Sequence, residues 1–214
     1  MSRLDPRSLG VYVVTSSELA PGRGHRDVAL AAIEGGATAV QLRGKDLGDD
    51  ELLPLADELA ARCREAGVLF IVNDRVDVAV ASGAEGVHVG RSDEHAGLRE
   101  RLGREIVLGM TVEDPTQIAE VEAAGADYLG VTVWATPTKA DAVPLGLEGL
   151  RAIVRATELP VVGIGGIGAS NAVEVLAAGA AGVAVVSAVG AAQDPISATR
   201  VLADVVGRWR AGER

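Results

Sequence analysis

Eight short apolar runs alternate with eight amphipathic ones along this chain, and no linker interrupts them. The apolar runs are GVYVVT (10–15), TAVQLR (38–43), LFIVN (69–73), GVHVG (86–90), IVLGMT (106–111), DYLGVTV (127–133), LPVVGIGG (159–166) and AGVAVVS (181–187). Each has the length of a strand and stays apolar at successive positions, as strands covered on both faces do. Between them, HRDVALAAIEGG, DDELLPLADELAARCREAG, RVDVAVASG, EHAGLRERLG, DPTQIAEVEAAG, LEGLRAIVRAT, SNAVEVLAAG and DPISATRVLADVVGRWR carry the helical period. Asp49, Asp114 and Ser170 stand where N-caps are expected, and glycines close several helices. A signature, Gly-Ala followed by an apolar entry, recurs at Gly36, Gly83, Gly125 and Gly179, each time ending a helix and entering an even-numbered strand. Eight strand–helix units in this length predict one α/β domain over residues 1–214, a single (β/α)₈ or TIM barrel. An open doubly wound sheet is the alternative.

Composition narrows what such a barrel can do. Hydrophobic residues are 48% of the chain but aromatics only 2%, so Ala, Val, Leu, Ile and Gly must build the core. A net charge of −10 argues against a nucleic-acid or anionic-membrane face, and any anionic ligand has to be met by a local cationic pocket. Cys63, the single cysteine, excludes an internal disulfide, and without a basic partner it reads as inert. The N-terminal MSRLDPRSLG has no apolar signal core, and no apolar run is long enough to span a bilayer, so the expected location is cytoplasmic.

The cations are unevenly chosen. Against 18 arginines stand two lysines, Lys45 and Lys139. A lysine is a compact charge on a slender stem and is not interchangeable with the arginine fork in a tight site. Barrel chemistry lies at the C-terminal ends of the strands, and both lysines fall there. Gln41, Arg43 and Lys45 follow strand two, Asn73 and Asp74 strand three, and Asp93 strand four. Thr111 ends strand five, Thr136, Thr138 and Lys139 follow strand six, Gly165 and Gly166 strand seven, and Ser187 strand eight. Asp74 and Asp93 suit Mg²⁺, which takes one or two carboxylates together with substrate phosphates; the alternative is a capping role, since Asp often caps helices and Asp93 stands just before a helical stretch at Glu94. Gly163, Gly165 and Gly168 match a dinucleotide pattern, but the next strand ends in Val186-Ser187, with no acid to hold a ribose. Phosphate on the loops after strands seven and eight is the better reading, with glycines used only for tight turns as the alternative. His25, His88 and His95 show no metal-ligand spacing, and His88 reads as a core or supporting side chain. Trp134 either stacks on a flat heterocycle or packs.

Taken together these residues resemble the thiamine-phosphate synthase family, from VYVVT to VVSAV. The carriers are QLRGKD (41–46), VNDRVDVAVASGAEGVHVGRSD (72–93), TPTKAD (136–141), VVGIGGI (161–167) and GVAVVSAV (182–189). The resemblance implies a barrel that joins 4-amino-2-methyl-5-pyrimidinylmethyl diphosphate to 4-methyl-5-(2-phosphoethyl)thiazole, giving thiamine phosphate and pyrophosphate. It implies that Gln41, Arg43, Lys45, Asn73 and Lys139 hold the pyrimidine diphosphate, with Arg43, Lys45 and Lys139 as the catalytic cations. Asp74 and Asp93 would bind Mg²⁺, and Thr136, Thr138, Gly166, Val186 and Ser187 the thiazole phosphate. Thr111 stands where the family often has a serine that contacts the pyrimidine, and TVWATPTK (132–139) departs from the family's usual lead into this turn. The implied partners are phosphorylated small molecules, with no nucleic acid and no membrane; a homodimer is left open. Other classes share the barrel. A thiazole tautomerase-like isomerase does not need the Arg43, Lys45, Lys139, Asp74 and Asp93 cluster, and a non-catalytic phosphate-binding barrel would be expected to lose some of it. A sugar-phosphate enzyme is a further alternative.

Overall fold

Residues 4–17, 19–90, 97–136 and 142–213 are described by a computed structural model. Its strands are β1 (Val11–Val14), β2 (Ala39–Leu42), β3 (Leu69–Asn73), β4 (Gly86–Val89), β5 (Val107–Thr111), β6 (Tyr128–Thr132), β7 (Val161–Ile164) and β8 (Gly182–Val185). All pair in parallel with their sequence neighbours, and β1 closes on β8 with Val11 opposite Val183 and Val13 opposite Val185. The ring has no edge strand, which removes the open-sheet alternative.

The helices are α1 (His25–Glu34), α2 (Asp49–Ala66), α3 (Val76–Ala81), α4 (Leu98–Leu102), α5 (Ile118–Ala123), α6 (Gly146–Ala156), α7 (Ala172–Ala177), α8 (Ser187–Gly190) and α9 (Pro195–Arg210). None among the described residues is long and apolar enough to cross a membrane. The one-turn α8, inserted between β8 and the last long helix, is an addition to the expected eight. Two N-caps also shift from their expected positions. Gly48 precedes α2, leaving Asp49 in a first turn whose dipole favours carboxylates, and Asn171 replaces Ser170 before α7. Asp114 does cap, accepting from the Thr116 N–H at the 3₁₀ turn Pro115–Gln117.

Strand alternation sorts the apolar side chains into two cores. Val11 and Val13 of β1, Val40 and Leu42 of β2, and Phe70 and Val72 of β3 point outward and pack under the helices. Tyr12, Val14, Ala39, Leu69, Ile71, Tyr128, Val162 and Ala184 point inward. Leu4 and Leu9, from the segment before β1, plug the lower end of the ring. The chain's only tyrosines meet in the middle, with Tyr12 Oη and Tyr128 Oη 2.9 Å apart. Gly109 of β5 makes room for this, because a Cβ there would lie 2.1 Å from the Tyr128 ring.

The repeated Gly-Ala signature has a geometric cause. Gly36, Gly83, Gly125 and Gly179 all lie in the left-handed region, with φ between 65° and 102°. Each following alanine returns its N–H to a carbonyl five residues back: Ala37 to Ala32, Ala84 to Ala79, Ala126 to Val121 and Ala180 to Val175. This double reversal satisfies the last carbonyls of the helix and turns the chain directly into the next strand. Gly67 and Val68 do the same between α2 and β3.

Two measurements follow from this architecture. Gly83→Ala meets nothing closer than 3.6 Å, so its cost is conformational and should be about 1–2 kcal/mol of unfolding free energy. Gly207→Ala, at an open helical position in α9, should instead stabilise by roughly 0.5–1 kcal/mol. Urea unfolding of both variants checks the opposite signs. Burial pushes the phenols of Tyr12 and Tyr128 well above their ordinary value. With the folded pKa above the unfolded one, their contribution is complete below about pH 10 and declines as pH rises beyond it. Ultraviolet titration should therefore detect no tyrosinate until the protein unfolds.

Candidate active site

The C-terminal ends of the strands surround a cavity of about 530 Å³, a size suited to one or two small ligands. Gln41, Arg43, Lys45, Asn73, Asp74, Thr111, Thr136, Gly166, Val186 and Ser187 all line it. Topology brings them together: each leaves its strand at the same rim, so residues distant in sequence share one mouth. Asp93, Thr138 and Lys139, named from the sequence, lie outside the described residues.

The cationic side of the mouth is built by the turn after β2. Lys45 is exposed, and its Nζ lies 3.6 Å from Asp74 Oδ2. Asp74 has φ of 59°, the one non-glycine residue with positive φ among those described. Aspartate tolerates this conformation better than most residues. It turns the chain within a single residue: the Asp74 N–H still bonds to the His88 carbonyl, while the Asp74 carbonyl already accepts from Val76. A strand end is thereby converted into a carboxylate on the cavity wall. Glu113, after β5, lines the cavity as well. Among the described residues no group of three or more His, Cys, Asp or Glu is arranged around a metal position. One or two carboxylates with open space for substrate oxygens is the donor set that Mg²⁺ prefers, and Asp74 fits that chemistry.

The opposite side is backbone. β7 is followed by Gly165 and Gly166, with φ of 92° and 65°. A Cβ at Gly165 would lie 2.5 Å from the Trp134 carbonyl oxygen, so glycine permits the loop to lie directly on the β6 loop. Asn171 straps the loop: it accepts from the Gly168 N–H at 2.8 Å and donates to the Gly166 carbonyl at 3.0 Å. The Ser187 N–H opens α8, where first-turn donors have no intrahelical acceptor. Arg23 ties the loop after β1 to the far end of α8 through the Gly190 and Ala192 carbonyls, at 2.9 and 2.7 Å. Trp134 packs against the outer core and this glycine loop, and is not a lining residue of the cavity.

The floor is a hydrogen-bonded chain that spacing arguments did not reveal. Gln41 Nε2 donates to Tyr12 Oη at 2.5 Å, and Tyr12 bonds to Tyr128. His88 Nδ1 lies 3.0 Å from Tyr128 Oη, and its Nε2 lies 3.0 Å from Thr111 Oγ1. His88 thus stands in the cavity wall as a support between two polar groups. The same scarcity that singles out two lysines also marks two tyrosines, each at an inward strand position. Cys63 is fully buried, and burial foremost, with Glu85 nearby, pushes its thiol up to about 12, so it is inert.

Residues 11–189 match the family model of thiamine monophosphate synthase. The chain is 47% identical to the thiamine-phosphate synthase of Moorella thermoacetica, over 94% of this chain and 97% of that one. It is 49% identical to that of Chloroflexus aurantiacus, over 92% of each. Among solved structures, thiamine phosphate pyrophosphorylase from Pyrococcus furiosus superposes with a TM-score of 0.87 at 40% identity, covering 95% of this chain and 98% of that one. With the match running through all eight strands, the chain belongs to the thiamine monophosphate synthase family and is a transferase of thiamine biosynthesis.

Proposed function

We propose that the cavity joins the aminopyrimidine diphosphate to the thiazole phosphate by a dissociative substitution. The convergence of Gln41, Arg43, Lys45, Asn73, Asp74, Thr111, Thr136, Gly166, Val186 and Ser187 on one cavity carries this reading. Gln41 offers a donor and an acceptor, and Thr111 a hydroxyl, to the edge of an aminopyrimidine. Arg43, Lys45, Asn73 and Lys139 receive the diphosphate. Thr136, Thr138 and the N–H groups at Gly166, Val186 and Ser187 receive the thiazole phosphate.

The bond from the methylene carbon to the diphosphate oxygen breaks, and its electron pair leaves on the diphosphate. The electron-rich ring supports the resulting cation, and the thiazole nitrogen then gives its lone pair to that carbon. This nitrogen has no proton to lose, so the chain's residues need only orient both rings and stabilise the departing charge. Asp74 and Asp93 would hold Mg²⁺, which supplies a divalent charge beside the leaving group when bound.

The decisive assay mixes both precursors with the protein, with and without Mg²⁺, and follows pyrophosphate and thiamine phosphate. Both should form, and only with the metal. Isomerisation of a phosphorylated thiazole without pyrophosphate release would replace this reading with the isomerase one. Asp74→Asn keeps a residue that accepts the left-handed backbone, so its melting curve should not move. Its turnover should fall about tenfold or more and its Mg²⁺ requirement should rise. Lys139→Ala should lose roughly 10²-fold in kcat, as removal of a preorganised electrostatic donor does. Lys139→Arg should recover only part, since the fork cannot centre its charge at the same point. Steady-state turnover with both substrates saturating checks each variant.

A further inference from the structure

Arg43 and Lys45 reach the cavity from a turn that a buried histidine outside the cavity holds in place. The turn closes with the Leu47 N–H on the Gly44 carbonyl at 3.3 Å, which puts Lys45 and Asp46 at its two central positions. Lys45 lines the cavity and Asp46 does not. On its apolar side the turn rests on Leu52, which a Cβ at Gly44 would meet at 2.7 Å. Its polar side is held by the Asp46 carboxylate, which accepts from Ser17 Oγ at 2.6 Å and lies 3.0 Å from His25 Nε2. Ser17 foremost, and His25 with it, keep that carboxyl below the usual carboxylate range. His25 opens α1 and is only 4% exposed. Its other nitrogen, Nδ1, lies 2.9 Å from Thr15 Oγ1, which accepts the Arg43 backbone N–H at 3.1 Å.

These bonds have a direction. The ionised Asp46 carboxylate can only accept, so His25 Nε2 is the donor to it. In the neutral ring the bare Nδ1 accepts the Thr15 hydroxyl hydrogen, while Thr15 Oγ1 accepts from Arg43. The ring then carries its proton on Nε2. Thr15, His25 and Asp46 copy the connectivity of a nucleophile–base–carboxylate triad, but Thr15 is fully buried and is not a lining residue of the cavity. The trio is therefore not itself reactive. It grips the turn at Arg43 and at Asp46, with Lys45 between the two grips.

We propose that His25 is a positioning residue, locked as the Nε2–H tautomer between Thr15 and Asp46, that sets Arg43 and Lys45 against the diphosphate. This rests on the reading of the cavity given above. Loss of the grip displaces cations without removing them, and small misplacements of reacting groups are costly.

The test combines kinetics with a measurement that needs no activity. His25→Ala, and Asp46→Ala at the half-exposed end of the grip, should each lower kcat/KM for the aminopyrimidine diphosphate about tenfold or more. The KM for the thiazole phosphate should stay within about twofold of its starting value if the effect is confined to the turn. His25→Gln, which can still donate near the Nε2 position, should recover most of the loss. Paired with Lys45→Ala, the His25→Ala loss should shrink, because part of it acts through Lys45. Losses that multiply, or equal rises in both KM values, would overturn the proposal. Nitrogen-15 spectra of labelled histidine, assigned with the His25→Gln variant, should show Nε2 protonated and Nδ1 bare. A proton on Nδ1 in the neutral ring overturns the proposal whatever the kinetics. If Lys45→Ala keeps full activity while that tautomer is present, the diphosphate reading of the turn fails, and with it the positioning role.

Discussion

Closure of β1 on β8 is the constraint from which the rest of the structure follows. A closed ring removes every strand edge but encloses a volume that must be filled from within. A chain with 2% aromatic residues has few large side chains to fill it. Leu4 and Leu9 occupy the lower end and the two tyrosines the middle. The upper end, where the strands finish, is left as the cavity. The site is thus the part of the ring interior that the sequence leaves unfilled, and its polar lining is what makes that part suitable for water and charged ligands.

The two sides of the mouth work by different means. One side uses side-chain charge, from Arg43, Lys45 and Asp74, delivered on short turns. The other uses backbone, with Gly165 and Gly166 in conformations closed to most residues and Asn171 strapping the loop. Beneath both, the Gln41–Tyr12–Tyr128–His88–Thr111 chain reaches across the ring. The Gln41–Tyr12 and Tyr12–Tyr128 bonds at its centre are buried, and a buried hydrogen bond costs much to leave unmade, so this part of the floor resists distortion when a ligand binds and leaves. Rigidity below and short turns above is the division expected of a site that orients two substrates.

The sequence disclosed what is periodic or positional. The strands are legible because both of their faces are apolar, and the Gly-Ala signature because a helix reversal into a strand has few solutions. The cavity residues were accessible because a barrel maps strand ends to one rim. Long-range contacts were not legible: Tyr12 and Tyr128 are 116 residues apart, and nothing local pairs them. The left-handed backbone at Asp74 has no sequence signature either, since aspartate occurs in many conformations. Ser170 stands one residue before the observed cap, Asn171, whose side chain bonds back to Gly166 and Gly168 rather than into the helix, a use that no local pattern announces. The short α8 has no period of its own to detect. Glu113 carries no signal beyond being one acid among 30.

Gly109 and Tyr128 share one volume inside the ring, since the space a side chain would take at position 109 is the space the ring takes at 128. Neither site can therefore drift alone. A larger residue at 109 has to wait until 128 is smaller, and a smaller residue at 128 first passes through a form with a void in its floor. An adaptive walk toward a wider cavity crosses a valley at this pair, whereas the side chains at the mouth can vary one at a time. Selection for a new ligand would thus reshape the rim long before it reshaped the floor.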